Sequence, residues 1–106
     1  MRLYDLAHAR SGDKGDAADI TVIARRPGDY ERLRRQLTVE RVQAHLADVV
    51  RGKVDRYEVP QLHALKLVLH HALGGGVTRS LNLDAHGKAL ASCLLELELP
   101  DDEVDA

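Results

Sequence analysis

The sequence predicts an α+β sandwich: one mainly antiparallel four-stranded sheet with helices packed on one face. Three observations point to it. Two strand-like stretches, Arg2–Arg10 and Ala17–Arg25, flank a short polar segment that carries two glycines, as the arms of a hairpin would. Segments with apolar residues at helical spacing follow directly. Further strand signals then alternate with helical ones, without a repeat or a linker, in the order β-β-α-α-β-α-β-α.

Each element has its own warrant. Arg2–Arg10 lacks a helical repeat, and as a strand it puts Leu6, His8 and Arg10 on one face. Ala17–Arg25 is rich in β-branched residues. Pro27 and Gly28 end that strand, and Asp29 is placed to cap a helix on which Tyr30, Leu33 and Leu37 recur at helical spacing. Thr38 caps a second helix, with Glu40 near its positive end. Its apolar stripe is Val39, Val42, Leu46, Val49 and Val50, and Gly52 is expected to stop it. Lys53–Val59 alternates and carries charges, so it reads as an edge strand. Pro60 suits a first helical turn, and Gln61–Leu73 reads as a deeply packed helix ended by Gly74, Gly75 and Gly76. Val77–Leu83 reads as the fourth strand, Asp84–Gly87 as a turn, and Lys88–Leu97 as the last helix. The period-two end of that helix, "LELEL", leaves a strand open there. One domain over residues 1–99 and an acidic tail over 100–106 complete the reading.

Composition excludes several functions. Formal charge is -2 and aromatic residues are only 3%, all Tyr, so neither the basic face nor the stacking platforms of a nucleic-acid binder are present. Arg25, Arg26, Arg32, Arg34 and Arg35 cluster but are interleaved with Asp29 and Glu31, as on a solvated helix face. Cys93 is the single cysteine, which rules out an internal disulfide and suits a small hydrophobe in an apolar run. No apolar run reaches the ~18 residues of a membrane span. The N-terminus has no signal-peptide core. A cytoplasmic location is the expectation.

Three stretches in series, "AHARSGDKGDAADITVIAR", "ALKLVLHHALGGGVTRSL" and "LDAHGKALASCLLELEL", resemble the small C-terminal ferredoxin-like domain of the acyclic terpene utilisation (AtuA) family. The resemblance covers about residues 3–99, as a free-standing copy. Against the family pattern the chain carries Asp19, Thr21 and Lys66 in place of Asn, Gly and Asn. The resemblance implies a ferredoxin-like α+β fold and a link to catabolism of branched acyl compounds, often handled as coenzyme A thioesters. It also implies a larger partner, because longer members fuse a large N-terminal domain to this one. No cofactor is expected; one Cys cannot supply the four thiolates of an iron–sulfur cluster.

The candidate site begins in "RSGDKGD". Gly12 and Gly15 permit positive φ, so backbone N–H groups can converge on an anion. Arg10 and Lys14 add charge and Ser11 a hydroxyl, while Asp13 and Asp16 orient these cations or close the turn by Asx bonds. An ordinary hairpin turn and a ligand loop both remain open. Gly74, Gly75 and Gly76 follow a helix, so they meet its negative end and read either as a stop or as a place of close approach, with Arg79 and Ser80 in reach. Asp84, His86 and Lys88 lie near one turn, where Asp84 reads as a helix N-cap; Lys88 matches the helix dipole poorly there, which slightly favours a use for its charge. His63, His70 and His71, read on one helix, lack the i, i+4 spacing of a zinc pair, and no metal is expected. His8, Ser11 and Asp13 are the catalytic candidates, His8 as a general base or a hydrogen-bonded core residue. Two functions follow. One is an assembly module that forms a homo-oligomer and docks a larger AtuA-like subunit. The other is a free-standing enzyme acting on an acyl-CoA or related acid.

Overall fold

The computed structural model describes residues 1–14, 17–48, 50–71 and 88–100. A short helix, α1 (Leu3–Leu6), opens the chain, turning Leu3 and Leu6 inward one turn apart. The Asp5 carboxylate accepts the Arg2 N–H at 3.1 Å and closes its first turn. Strand β1 therefore starts only at Ala7 and runs to Lys14, and β2 spans Ala17–Ala24. The expected strand over Arg2–Leu6 is replaced by this helix, since Leu3 and Leu6, three residues apart, both enter the core, and a strand would send them to opposite faces.

A 3-10 turn at Pro27–Asp29 leads into α2 (Tyr30–Gln36). Asp29 occupies the cap position but makes no cap bond; its carboxylate pairs with Arg26 Nε at 3.1 Å. Thr38 does cap α3 (Val39–His45), its hydroxyl accepting the Arg41 N–H at 3.2 Å. Helix α3 ends at His45, earlier than Gly52, although Leu46 and Val50 stay buried beyond it. Val49 lies outside the described residues. Gly52 instead permits a close approach to β4, since a Cβ there would sit 2.6 Å from the His70 carbonyl oxygen.

Strand β3 (Val54–Val59) is followed by a 3-10 turn at Pro60–Leu62, and then β4 (Ala64–His70). The expected helix over Gln61–Leu73 is thus a strand through most of its described length. His63, with φ 54°, makes the reversal, so β3 and β4 form a hairpin. The burial pattern of β4 explains the difference. Ala64, Leu65, Leu67 and Leu69 are all buried and only Lys66, Val68 and His70 are partly open, so the segment is apolar enough to mimic a packed helix. Its period-two burial belongs to a central strand. Val77–Leu83, expected as the fourth strand, lies outside the described residues, as do Gly74–Gly76 and Asp84–Gly87.

The sheet order is β1-β2-β4-β3, every neighbour antiparallel. Register aligns Ala18, Ile20 and Val22 of β2 with Leu69, Leu67 and Leu65 of β4 on one face. That face carries the core, joined by Leu33, Leu37, Val42, Leu90 and Leu94 from the helices. The last helix, α4 (Lys88–Leu95), packs beside β1. Residues after it turn extended, with Leu3 N–H donating to Leu97 O and Leu99 N–H to Met1 O, both at 2.8 Å. Both readings of "LELEL" are therefore right in part: helix to Leu95, extended pairing after it. The expected α+β class and four-stranded antiparallel sheet stand, with β4 as the fourth described strand. No described helix is long and apolar enough to cross a membrane.

Candidate functional site

The polar stretch that suggested a loop is mostly strand. Ser11, Gly12, Asp13 and Lys14 continue β1, paired with Ile20, Asp19, Ala18 and Ala17. Gly15 and Asp16 lie outside the described residues. Alternation then sorts the candidates onto two faces. His8, Arg10 and Gly12 belong to the face away from the helices, and Ala9 and Ser11 to the helix side. One strand cannot aim His8, Arg10 and Ser11 at one small molecule in the same way.

On the helix side, β1 and α4 leave a groove of about 450 Å³ lined by Ala9, Arg10, Ser11, Ala91, Ser92 and Leu95. Arg10 belongs to this lining as a residue of β1, the outer strand of the described sheet, although its side chain starts on the opposite face. The groove is mainly apolar, with Arg10, Ser11 and Ser92 as its polar lining residues. A second groove of about 310 Å³ lies between α3 and α4, lined by His45, Leu46, Asp48, Cys93 and Glu96. A 2.6 Å bond between His45 Nε2 and the Cys93 carbonyl closes it on one side. Cys93 packs half-buried against the core, as its apolar surroundings suggested.

The open face has its own order. One row across it runs Arg10, Thr21, Lys66, Tyr57; the next runs Gly12, Asp19, Val68, Asp55. Asp19 lies over Gly12, its carboxylate oxygen 3.4 Å from where a Cβ would stand, so glycine makes room for the carboxylate. Asp19, Thr21 and Lys66, three separate positions in the chain, are neighbours here. Sequence reading missed Lys66 as a companion of Arg10 because it assigned Lys66 to a helix. The available signal was the leucine alternation at 65, 67 and 69.

Two described histidines have defined partners on this side. Arg25 donates to His8 Nδ1 at 3.4 Å while its guanidinium stacks 4.8 Å from the Tyr4 ring centroid, so His8 is an exposed contact of Arg25, not a core residue. His70 Nε2 donates to Asp55 Oδ2 at 2.8 Å. That bond, with the nearby Lys53 ammonium, holds the Asp55 carboxyl below the usual carboxylate range. Among the described residues, no three His, Cys, Asp or Glu side chains gather closely enough to hold a metal ion. Gly74, Gly75, Gly76, Arg79, Ser80, Asp84 and His86 lie outside the described residues, and Lys88 is the first residue of α4.

The family is decided by comparison with known families: the model of the AtuA ferredoxin-like domain matches residues 1–100. The chain belongs to that family. The match takes in the whole of the described sheet and all four described helices of this AtuA ferredoxin-like domain. No curated protein and no solved structure matches the chain.

Proposed function

We propose that this AtuA ferredoxin-like domain is an assembly module. It associates with itself and docks a larger AtuA-like subunit in cytoplasmic catabolism of branched acyl compounds, lending the Arg10–Asp16 stretch to a shared site. The observation that supports this reading is the groove beside β1. It brings Arg10 and Ser11 to an open boundary of the domain, next to Ser92 and Leu95. The two faces of β1 divide the remaining candidates, so the groove alone offers few groups for self-contained chemistry. A second chain seated there supplies both cover and the missing groups.

Co-purification with a larger AtuA-like subunit from the same genome tests this. Ser92→Tyr adds bulk to the groove from an exposed position, and Arg10→Glu reverses the charge of one of its lining residues. Either change is expected to lower recovery of the complex at least tenfold, with an unchanged melting curve for the isolated domain. Equal recovery with both variants would end the docking reading.

The mainly apolar lining, with Arg10 among its residues, favours a second reading, a free-standing enzyme that takes an acyl-CoA or related acid. A ligand at ~100 times its Kd stabilises the fold by ~2.7 kcal/mol. Coenzyme A esters should then raise the melting temperature of the wild type and not of Arg10→Ala. An unmoved midpoint at millimolar ester sets this reading aside.

A further inference from the structure

Strand β3 is the outer strand of the described sheet on the side away from β1. His70 N–H donates to Lys53 O at 3.0 Å, which fixes the phase of the antiparallel ladder. Asp55, Tyr57 and Val59 direct their backbone groups to β4. The N–H and C=O groups of Val54, Arg56 and Glu58 point outward, and among the described residues nothing bonds to them. Tyr57 stands beside this edge with 53% of its surface exposed.

Charge selects what the edge fits. An outward-pointing residue must face another outward-pointing residue for main-chain bonds to form, which leaves few registers for two antiparallel copies. Those centred on Asp55, Arg56 or Glu58 set like charges face to face. The register centred on Tyr57 sets Arg56 opposite the partner subunit's Glu58, and Glu58 opposite the partner subunit's Arg56. Its main-chain bonds pair the same residues, and the two tyrosines meet across a non-hydrogen-bonded position on the open face. Pro60, without an N–H, ends the ladder opposite Val54.

We propose that β3 is a self-pairing edge: two copies join β3 to β3 with Tyr57 on the two-fold axis, forming one eight-stranded sheet. This rests on the assembly reading above and locates its self-association. It leaves β1 and the groove at both far ends of the double sheet, open to the larger subunit. The ladder is short, so the dimer is reversible.

Sedimentation velocity from low micromolar to half-millimolar protein is the first measurement, with the expected limit at the mass of two 11.7 kDa chains. Glu58→Pro removes an outward N–H that β4 does not use, and should abolish the dimer. Tyr57→Cys in a Cys93→Ser background tests the register independently. The two sulfurs stand on Cα atoms about 4.5 Å apart, within disulfide reach, and mild oxidation should yield a covalent dimer. Asp55→Cys, about 13 Å from its own copy in this register, should not cross-link. If the protein is dimeric but Glu58→Pro leaves it so, or Asp55→Cys cross-links as fast as Tyr57→Cys, the edge is wrong and self-association stands. A monomer at every concentration removes both.

Discussion

Gly52 makes the closest backbone approach among the described glycines, and replacing it with Ala measures how firmly the segment after α3 is clamped to β4. The new Cβ would stand 2.6 Å from the His70 carbonyl oxygen, 2.8 Å from His71 Cδ2 and 2.9 Å from the His70 carbonyl carbon. Two of these atoms are backbone, so no side-chain rotation relieves them. The first falls about 0.8 Å short of the 3.4 Å at which ordinary contact begins. The same carbonyl accepts the Gly52 N–H at 2.9 Å, so moving the two segments apart stretches a main-chain bond. Overpacking of this kind costs ~1–3 kcal/mol, and a weakened bond adds up to ~1. Alanine returns ~0.4–1 kcal/mol by restricting the unfolded chain. The net expectation is a loss of about 2 kcal/mol, or roughly 8–16 °C in Tm for a domain of this size. Urea unfolding followed by circular dichroism gives the number. Gly28→Ala is the control, because nothing lies within 4 Å of its added Cβ. Equal stability of Gly52→Ala and wild type would refute the close approach of these two segments.

Four further outcomes follow from the same structure. Arg56, with an 18% exposed side chain, donates from Nε to Leu37 O at 2.9 Å and from Nη2 to Arg34 O. Arg56→Met keeps the stem and strands these carbonyls, so dilute protein should lose ~1.5–3 kcal/mol in denaturant unfolding. Thr38→Ala removes the α3 cap and should cost ~1 kcal/mol, with Thr38→Ser close to wild type. Leu67→Ala, at 0% exposure in the central strand, should cost ~2–5 kcal/mol in the same assay. His70→Phe should raise the Asp55 titration midpoint, read by carboxyl NMR, because it removes the bond that holds it low. The sign for stability follows from a folded value below the unfolded one. The Asp55–His70 contribution is present above the unfolded carboxyl pKa of ~3.9 and fades as pH falls through the lowered folded value. An unshifted Asp55 in His70→Phe would contradict that cause.

Strands with one polar face announced themselves; the strand whose second face is also partly apolar did not. In β2, Ala18, Ile20, Val22 and Ala24 alternate with Asp19, Thr21 and the half-buried Ile23, and period two is visible in the residue types. In β3, charged Asp55, Arg56 and Glu58 marked an edge, which β3 is in the described sheet. β4 runs between β2 and β3, and its partly open positions include Val68, so residues 64–69 present five apolar side chains and one lysine. Composition cannot separate that from a buried helix. His63 in the left-handed region is the second hidden feature, since the reversal needs a positive φ that a glycine would have advertised.

The same error concealed half of the open face. With residues 61–73 read as helix, Lys66 had no fixed relation to Arg10. With β4 beside β2, Arg10, Thr21 and Lys66 fall in one row across three strands. Strands lie ~4.8 Å apart, so the two cations start about 10 Å from each other with a hydroxyl between them. Among the described residues neither cation has an ion-pair partner, although Asp19 is in the adjacent row. A row of this kind is set by register, and register depends on residues distant in sequence. The hairpin motif was therefore readable as a motif but not as a site. Its residues divide between two faces, and each face gains meaning from a different neighbour: α4 for Ser11, and β2 with β4 for Arg10. A function that uses both faces at once needs something that wraps the β1 edge, and a docked chain can do this where a single small ligand in the groove cannot.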